Sequence, residues 1–326
     1  MSATHAAVAP RSVGERVRTL LGRDVVYVAF LAILVSFAVI LRDTGFLSFS
    51  NFSNILRQTA PITVMAVGLT FTLSAGEIDL SIGSVVALSA LTAAIVLRDV
   101  GLVPGVVCGL GVGLAVGAVN GLLTVIVRIP SFLVTLGMLG LVAGIARTVT
   151  DLQSVPVRNA AFTASFGSGS LGPVSSLAIW TVVVVLVGHL ALRNTRFGRH
   201  VLATGGDRAA AGYVGVRTAR VRVAALMISS VCAALAGLLY AGRLQGARYT
   251  LGEQDLLTVI AAVVIGGTRL FGGRGTVIGA LFGSLIMGML NNGLILMGLE
   301  VSDQMIARGA IIIFAVALSL REPRQV

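Results

Sequence analysis

The sequence predicts an all-α, polytopic membrane protein, and three observations carry that prediction. Of 326 residues, 56% are hydrophobic and only 11% charged, with a mean hydropathy of +0.98. A soluble domain carries about 25% charged residues, so this chain lacks the polar surface to cover a core in water. The apolar residues fall into ten uncharged or nearly uncharged runs close to membrane-spanning length. All 24 basic residues are arginine, and they cluster between the runs.

In chain order the predicted helices are 25–41, 56–75, 82–97, 101–127, 131–149, 176–192, 219–241, 256–268, 276–298 and 303–320. The first follows Arg11, Arg16, Arg18 and Arg23. A polar, aromatic connector comes after it rather than a small-residue cleavage pattern, so it reads as a retained anchor. The runs 82–97 and 256–268 are short for a bilayer crossing of about 20 residues, the pattern of helices that break inside a membrane. Broken or short helices are therefore expected near 76–84 and 266–275. In 101–127 the glycines at 109, 113 and 117 recur every four residues, which lines one face for close helix contact in lipid. Cys108 and Cys232 lie in apolar runs without metal-type spacing and read as small core residues.

With the N-terminus inside, ten spans place sixteen arginines in cytoplasmic positions and eight elsewhere, the bias expected of inward loops. That bias also accounts for the sequence pI of about 11.3 without a nucleic-acid partner. The expected organisation is a cytoplasmic tail 1–24, one transmembrane domain 25–321 and a cytoplasmic tail 322–326, in a plasma or inner membrane with both termini cytoplasmic. The connector 151–175, rich in Ser, Gly and Pro, reads as an extracytoplasmic or partly re-entrant loop. The connector 193–218 is strongly basic and contains a short helical patch, Asp207–Ala211, with Asp207 an N-cap candidate after Gly205 and Gly206. A helix that short is unstable alone in water and needs a docking surface on this chain or a partner.

Two polar interruptions stand out. "AGEIDLSIGS" (75–84) sets Glu77 and Asp79 in an otherwise uncharged region, at a cost of roughly 2.5–3.5 kcal/mol per carboxylate at membrane depth. Asp79 and Ser81 suit N-capping of the next helix, whose open backbone must be paired or line a wet cavity. The other reading is an acidic pair facing a translocation route. The second interruption, 263–286, holds Gly266-Gly267 and Gly272-Gly273 around Arg269 and Arg274. With no lysine in the chain, it is no Walker A phosphate loop, and a tight turn between spans is the simpler reading. Asn120, Asn291 and Asn292 are polar at membrane depth and suit interhelical hydrogen bonds or a pore lining. His189 and His200 have no paired ligands, no nucleophile–base arrangement is present, and no metal or cofactor is expected.

Four stretches, "GEIDLSIGSVVALSA" (76–90), "NGLLTVIVRIPSFLVTLGMLGLVAGIA" (120–146), "GRHVLATGGDRAAAGYVGV" (198–216) and the segment 259–298, resemble the permease subunits of monosaccharide ABC importers of the ribose, xylose and arabinose type. The resemblance runs in order from about residue 45 to 320. The wider group includes branched-chain amino-acid permeases, from which the "DLS-x-GS" and "IPSF-x-VTLGM" stretches differ towards the sugar branch. It implies a homodimeric or pseudo-dimeric pore, with a second copy of the chain the expected partner and a related second permease the alternative, fed by an extracytoplasmic sugar-binding protein and driven by a separate cytoplasmic ATPase. It also implies that Gly205, Gly206, Asp207, Arg208, Ala209, Ala210 and Gly215 form the helix that couples to that ATPase. Asp207 stands at the family's usual Asn, Arg208 at a frequently acidic position, and Glu77 in place of a glycine. The substrate-pathway candidates are Glu77, Asp79, Ser81, Gly83, Ser84, Asn120, Phe132, Thr135, Gly266, Gly267, Asn291 and Asn292. The competing readings are a secondary transporter with Glu77 and Asp79 as its proton or sodium site, and a membrane enzyme, for which no catalytic constellation appears.

Overall fold

A computed structural model describes residues 13–300, 302–307, 309–310 and 313. Twelve α-helices dominate it: α1 (Val13–Ile40), α2 (Phe49–Ser74), α3 (Ile82–Asp99), α4 (Leu102–Leu122), α5 (Ser131–Val149), α6 (Ala160–Phe166), α7 (Ser176–Asn194), α8 (Arg196–Gly206), α9 (Arg208–Tyr213), α10 (Thr218–Leu244), α11 (Asp255–Ile265) and α12 (Val277–Leu296). A π-helical turn, Leu123–Val127, extends α4. Among the described residues, strands are limited to two antiparallel two-residue pairs. In one, Val155–Pro156 (β1) meets Gly246–Ala247 (β4); in the other, Ser170–Leu171 (β2) meets Val174–Ser175 (β3).

The first nine apolar runs all become helices, and the tenth, 303–320, falls mostly outside the described residues. Six helices among the described residues are long and apolar enough to span a bilayer: α3, α4 with its π-helical turn, α5, α7, α10 and α12. The first helix starts at Val13, so it runs through much of the basic segment that the sequence reading set apart as a tail.

Burial sorts the helices into an inner and an outer set. The C-terminal two-thirds of α2 and nearly all of α3 are buried, as is the middle of α10. By contrast α4, α5 and α7 leave broad apolar faces open, with Val103, Val107, Leu133, Leu141, Val182 and Val187 all exposed. In a bilayer such faces meet lipid at no cost. Cys108 lies exposed on this outer side of α4 and is not the core residue expected, whereas Cys232, half-buried, packs against the main core cluster and close to Gly68 of α2.

The second helix has spanning length but is threonine-rich, which suits a helix surrounded by protein. Three of its buried threonines donate one turn back, Thr59 to Ile55 O (2.8 Å), Thr63 to Thr59 O (3.0 Å) and Thr70 to Ala66 O (2.7 Å), and Thr72 donates across to Ala225 O of α10 (3.1 Å). Thr63 also shares a 2.6 Å hydrogen bond with Ser284 of α12.

The glycine face of α4 packs as the spacing predicts. A Cβ on Gly113 would sit 2.5 Å from the Ala234 Cβ, and one on Gly117 2.7 Å from the Met227 Cα, both on α10. Gly109 faces Ala93 of α3 and Leu238 of α10. Absent side chains let the backbones touch, which replaces the hydrophobic drive that lipid removes.

Candidate functional site

The connection between α2 and α3 is a climbing, extended segment. Gly76 turns the chain at φ +77°, and residues 77–81 follow without helical structure. Contacts with α10 show how far it climbs. Glu77 meets Arg222, whereas Asp79 meets Ser230, eight residues and about 12 Å further along the α10 axis. The start of α3 is therefore set inside the bundle, and Gly83 there abuts Gly252, which lies just before the short α11; a Cβ on Gly83 would sit 2.9 Å from Gly252 O.

Extended backbone inside a membrane protein must find partners. Two come from the first turns of α5: Ser131 Oγ accepts from Ile78 N (3.1 Å), and Thr135 Oγ1 donates to Ile78 O (3.1 Å). Asp79 organises the rest. Its Oδ1 accepts from Ser81 N (3.0 Å) and Ser81 Oγ (2.6 Å), and Asn120 Nδ2 donates to Ser81 Oγ (2.9 Å). Ser230 Oγ lies 3.5 Å from Asp79 Oδ2, and Ser84 Oγ donates to Ser81 O (3.0 Å). Ser81 takes the N-cap position of α3, but its side chain makes no capping bond. Asp79 braces the turn before the helix instead of capping it.

Glu77 is different in kind. It is buried, and its Oε1 accepts from both Arg222 Nε of α10 and Arg208 Nη2 of α9, the latter at 2.8 Å. A cavity of about 620 Å³ opens beside this cluster, lined by Glu77, Arg128, Ser131, Phe132, Arg208 and Arg222 among others. Sequence reasoning singled out Glu77, Phe132 and Arg208 but not Arg128, Ser131 or Arg222. The available signal was a carboxylate in an apolar region, which demands a counter-charge.

The basic connector folds into two helices rather than one. The first is α8, an amphipathic helix missed in the sequence, whose last residues are Gly205 and Gly206. The second is α9, N-capped as expected, with Asp207 Oδ1 accepting from Ala210 N at 3.0 Å. Ala209 and Ala210 are exposed on it, and Gly215 follows at φ +85°. The glycine-rich loop after α11 closes on the same place: Gly273 N donates to Ser74 O (3.1 Å), and a Cβ on Gly273 would sit 3.0 Å from Gly206 Cα.

The remaining candidates sit apart from the cavity. Gly266 packs backbone to backbone on Gly279 of α12, and Gly267 turns the chain at φ +86°, a tight turn between two helices. Asn292 is engaged with Asn51 in a reciprocal amide pair (Asn51 Nδ2 to Asn292 Oδ1, 3.0 Å; the reverse, 2.9 Å), and Asn291 beside it is half-buried.

Comparison with known proteins agrees with this architecture. Residues 51–316 match the family described as branched-chain amino acid transport system / permease component. The chain is 36% identical over 296 residues to the ribose import permease protein RbsC of Escherichia coli (strain K12), covering 88% of this chain and 91% of that one. It is 37% identical over 294 residues to RbsC of Bacillus subtilis (strain 168), covering 90% and 91%. It is 33% identical over 295 residues to the fructose import permease protein FrcC of Rhizobium meliloti, covering 87% and 81%. No solved structure matches. A helical membrane bundle, a broken helix inside it and a match across most of its length together mean that the chain belongs to this family of ABC-transporter permease components.

Proposed function

We propose that the chain is the permease subunit of an ATP-binding-cassette importer that moves a monosaccharide across the plasma or inner membrane. An extracytoplasmic binding protein delivers the sugar, and a separate ATPase docks on α9 from the cytoplasm. Two copies of the chain form the pore, and both termini lie on the cytoplasmic side. The sugar class follows from the relatives named for ribose and fructose import.

The observation that carries this reading is the connection between α9 and the membrane interior. A six-residue helix with exposed Ala209 and Ala210 is joined through Arg208 to Glu77 at the foot of the α2–α3 interruption. That arrangement suits a surface where an external motor pushes on a pathway. On this reading the cavity beside Glu77 and Phe132 is the inward end of the route, and the Asp79–Ser81–Asn120 network shapes its wall. In alternating access the motor biases two arrangements of the same bundle.

The test is reconstitution into liposomes, with ribose and fructose as probe sugars. Uptake is expected only when the ATPase, its nucleotide and the binding protein are all supplied. Uptake by the chain alone, abolished by collapsing a proton or sodium gradient, would replace this reading with an ion-coupled transporter.

A further inference from the structure

Two arginines from different helices share one oxygen of Glu77, and their surroundings differ. The Glu77 side chain is 3% exposed and that of Arg222 15%, whereas that of Arg208 is 49% exposed. Arg222 belongs to the long, well-packed α10. Arg208 is the sole charged side chain of α9, a helix that buries only Ala211. The buried pair of Glu77 and Arg222 already has zero net charge without the second guanidinium. The second pair therefore does something other than neutralise Glu77: it fixes α9 to the chain segment that enters the membrane.

We infer that Glu77 is a positioning residue that ties α9 to the extended segment 77–80, so that displacement of α9 moves the interruption. The inference rests on the proposed docking of an ATPase at α9. When Arg208 withdraws, Arg222 stays on Glu77, and no bare charge is left in a dry site. The outer pair is thus the one free to break and re-form. What Glu77 feels is passed on directly, because its neighbour Ile78 is gripped at both N–H and C=O by Ser131 and Thr135 of α5. Phe132, between those two, lines the cavity. A shift of α9 therefore reaches the first turn of α5 through three consecutive named links: Arg208 to Glu77, Glu77 to Ile78, and Ile78 to Ser131 and Thr135.

The test is hydrogen exchange on the chain in complex with its ATPase, with and without ATP and vanadate, following peptides that cover 75–82 and 205–216. In the natural chain both peptides are expected to respond to nucleotide. In Glu77→Gln, which leaves every residue of α9 in place, the ATPase is expected to stay bound; Arg208→Gln changes a residue of the proposed docking helix, so its ATPase binding is measured alongside and its exchange is compared with that of Glu77→Gln. The response of 205–216 should persist and that of 75–82 should be lost. The double variant should be no worse than either single one. Persistence of the 75–82 response in both variants overturns the tie alone, as does its absence in the natural chain with the ATPase bound. Failure of the natural chain to bind any ATPase overturns the docking role of α9 and the tie with it.

Discussion

Gly205 and Gly272 meet backbone to backbone: a Cβ on Gly272 would lie 2.5 Å from Gly205 O and 2.9 Å from Gly76 Cα. Three chain segments far apart in sequence converge there: the end of α2, the end of α8 and the loop before α12. No side chain fits between them. Gly272 adds a backbone reason, since its φ is +91°. Gly272→Ala is expected to cost about 1–3 kcal/mol by overpacking, with a further 1–2 kcal/mol for the left-handed conformation. Gly212→Ala is the control, because nothing lies within 4 Å of its added methyl. Thermal unfolding in detergent should show a clear loss for the first and none for the second.

The face of α4 gives a sharper contrast within one helix. Gly113 lies against Ala234 and Ser230 of α10, whereas Gly111 faces open space. Gly113→Val forces the two helices apart and is expected to lower the unfolding temperature markedly. Gly111→Val, of the same volume change, should be near neutral. Equal effects would mean that α4 does not pack on this face.

Much of this arrangement is legible in the sequence, and what is not shares a physical cause. The α4 stripe, the Asp207 cap and the short α11 are all local patterns: a spacing of four, a capping residue before a helix former, a run too brief to span; α3, whose run 82–97 reads as short, instead reaches spanning length because the helix continues to Asp99. The α8 helix escaped because its polar face and terminal glycines resemble a loop until it packs on α7, α10 and α2. The Glu77–Arg222 pair escaped because its members are 145 residues apart, and no local rule selects one arginine from 24. Cys108 was misplaced for a different reason: an apolar run in a membrane protein does not say which face meets lipid.

The bracing of the interruption by Asp79 is open to a graded test. Asp79→Asn keeps an oxygen for the Ser81 amide and hydroxyl, whereas Asp79→Ala leaves both buried donors without one. The second is expected to cost about 1–3 kcal/mol per unsatisfied group and the first less. Melting temperature should fall in the order natural chain, Asn, Ala. Asn120→Ala, which removes the donor to Ser81, should fall between the natural chain and Asp79→Ala.

The grip on Ile78 makes a separate prediction. Thr135→Val preserves shape but removes the hydroxyl that donates to Ile78 O, and Ser131→Ala removes the acceptor for Ile78 N. Each is expected to cost about 1–3 kcal/mol and to raise local exchange. The Ile78 amide should exchange faster in Ser131→Ala than in the natural chain, while amides in the middle of α10 stay protected. Unchanged exchange at Ile78 would show that α5 does not hold the interruption.

The exposed side of α9 carries the last prediction. Ala209 and Ala210 project from a helix that buries only Ala211, so replacing both with glutamate disturbs no packing within the chain. Membrane insertion and melting should be unchanged. If α9 is where the ATPase sits, two bulky charges at the centre of that contact leave it poorly packed and partly desolvated without partners, a loss of several kcal/mol in binding. Affinity purification from membranes should then recover the ATPase with the natural chain and not with the double variant. Equal recovery from both would move the docking surface away from α9, and the basic connector would need another role.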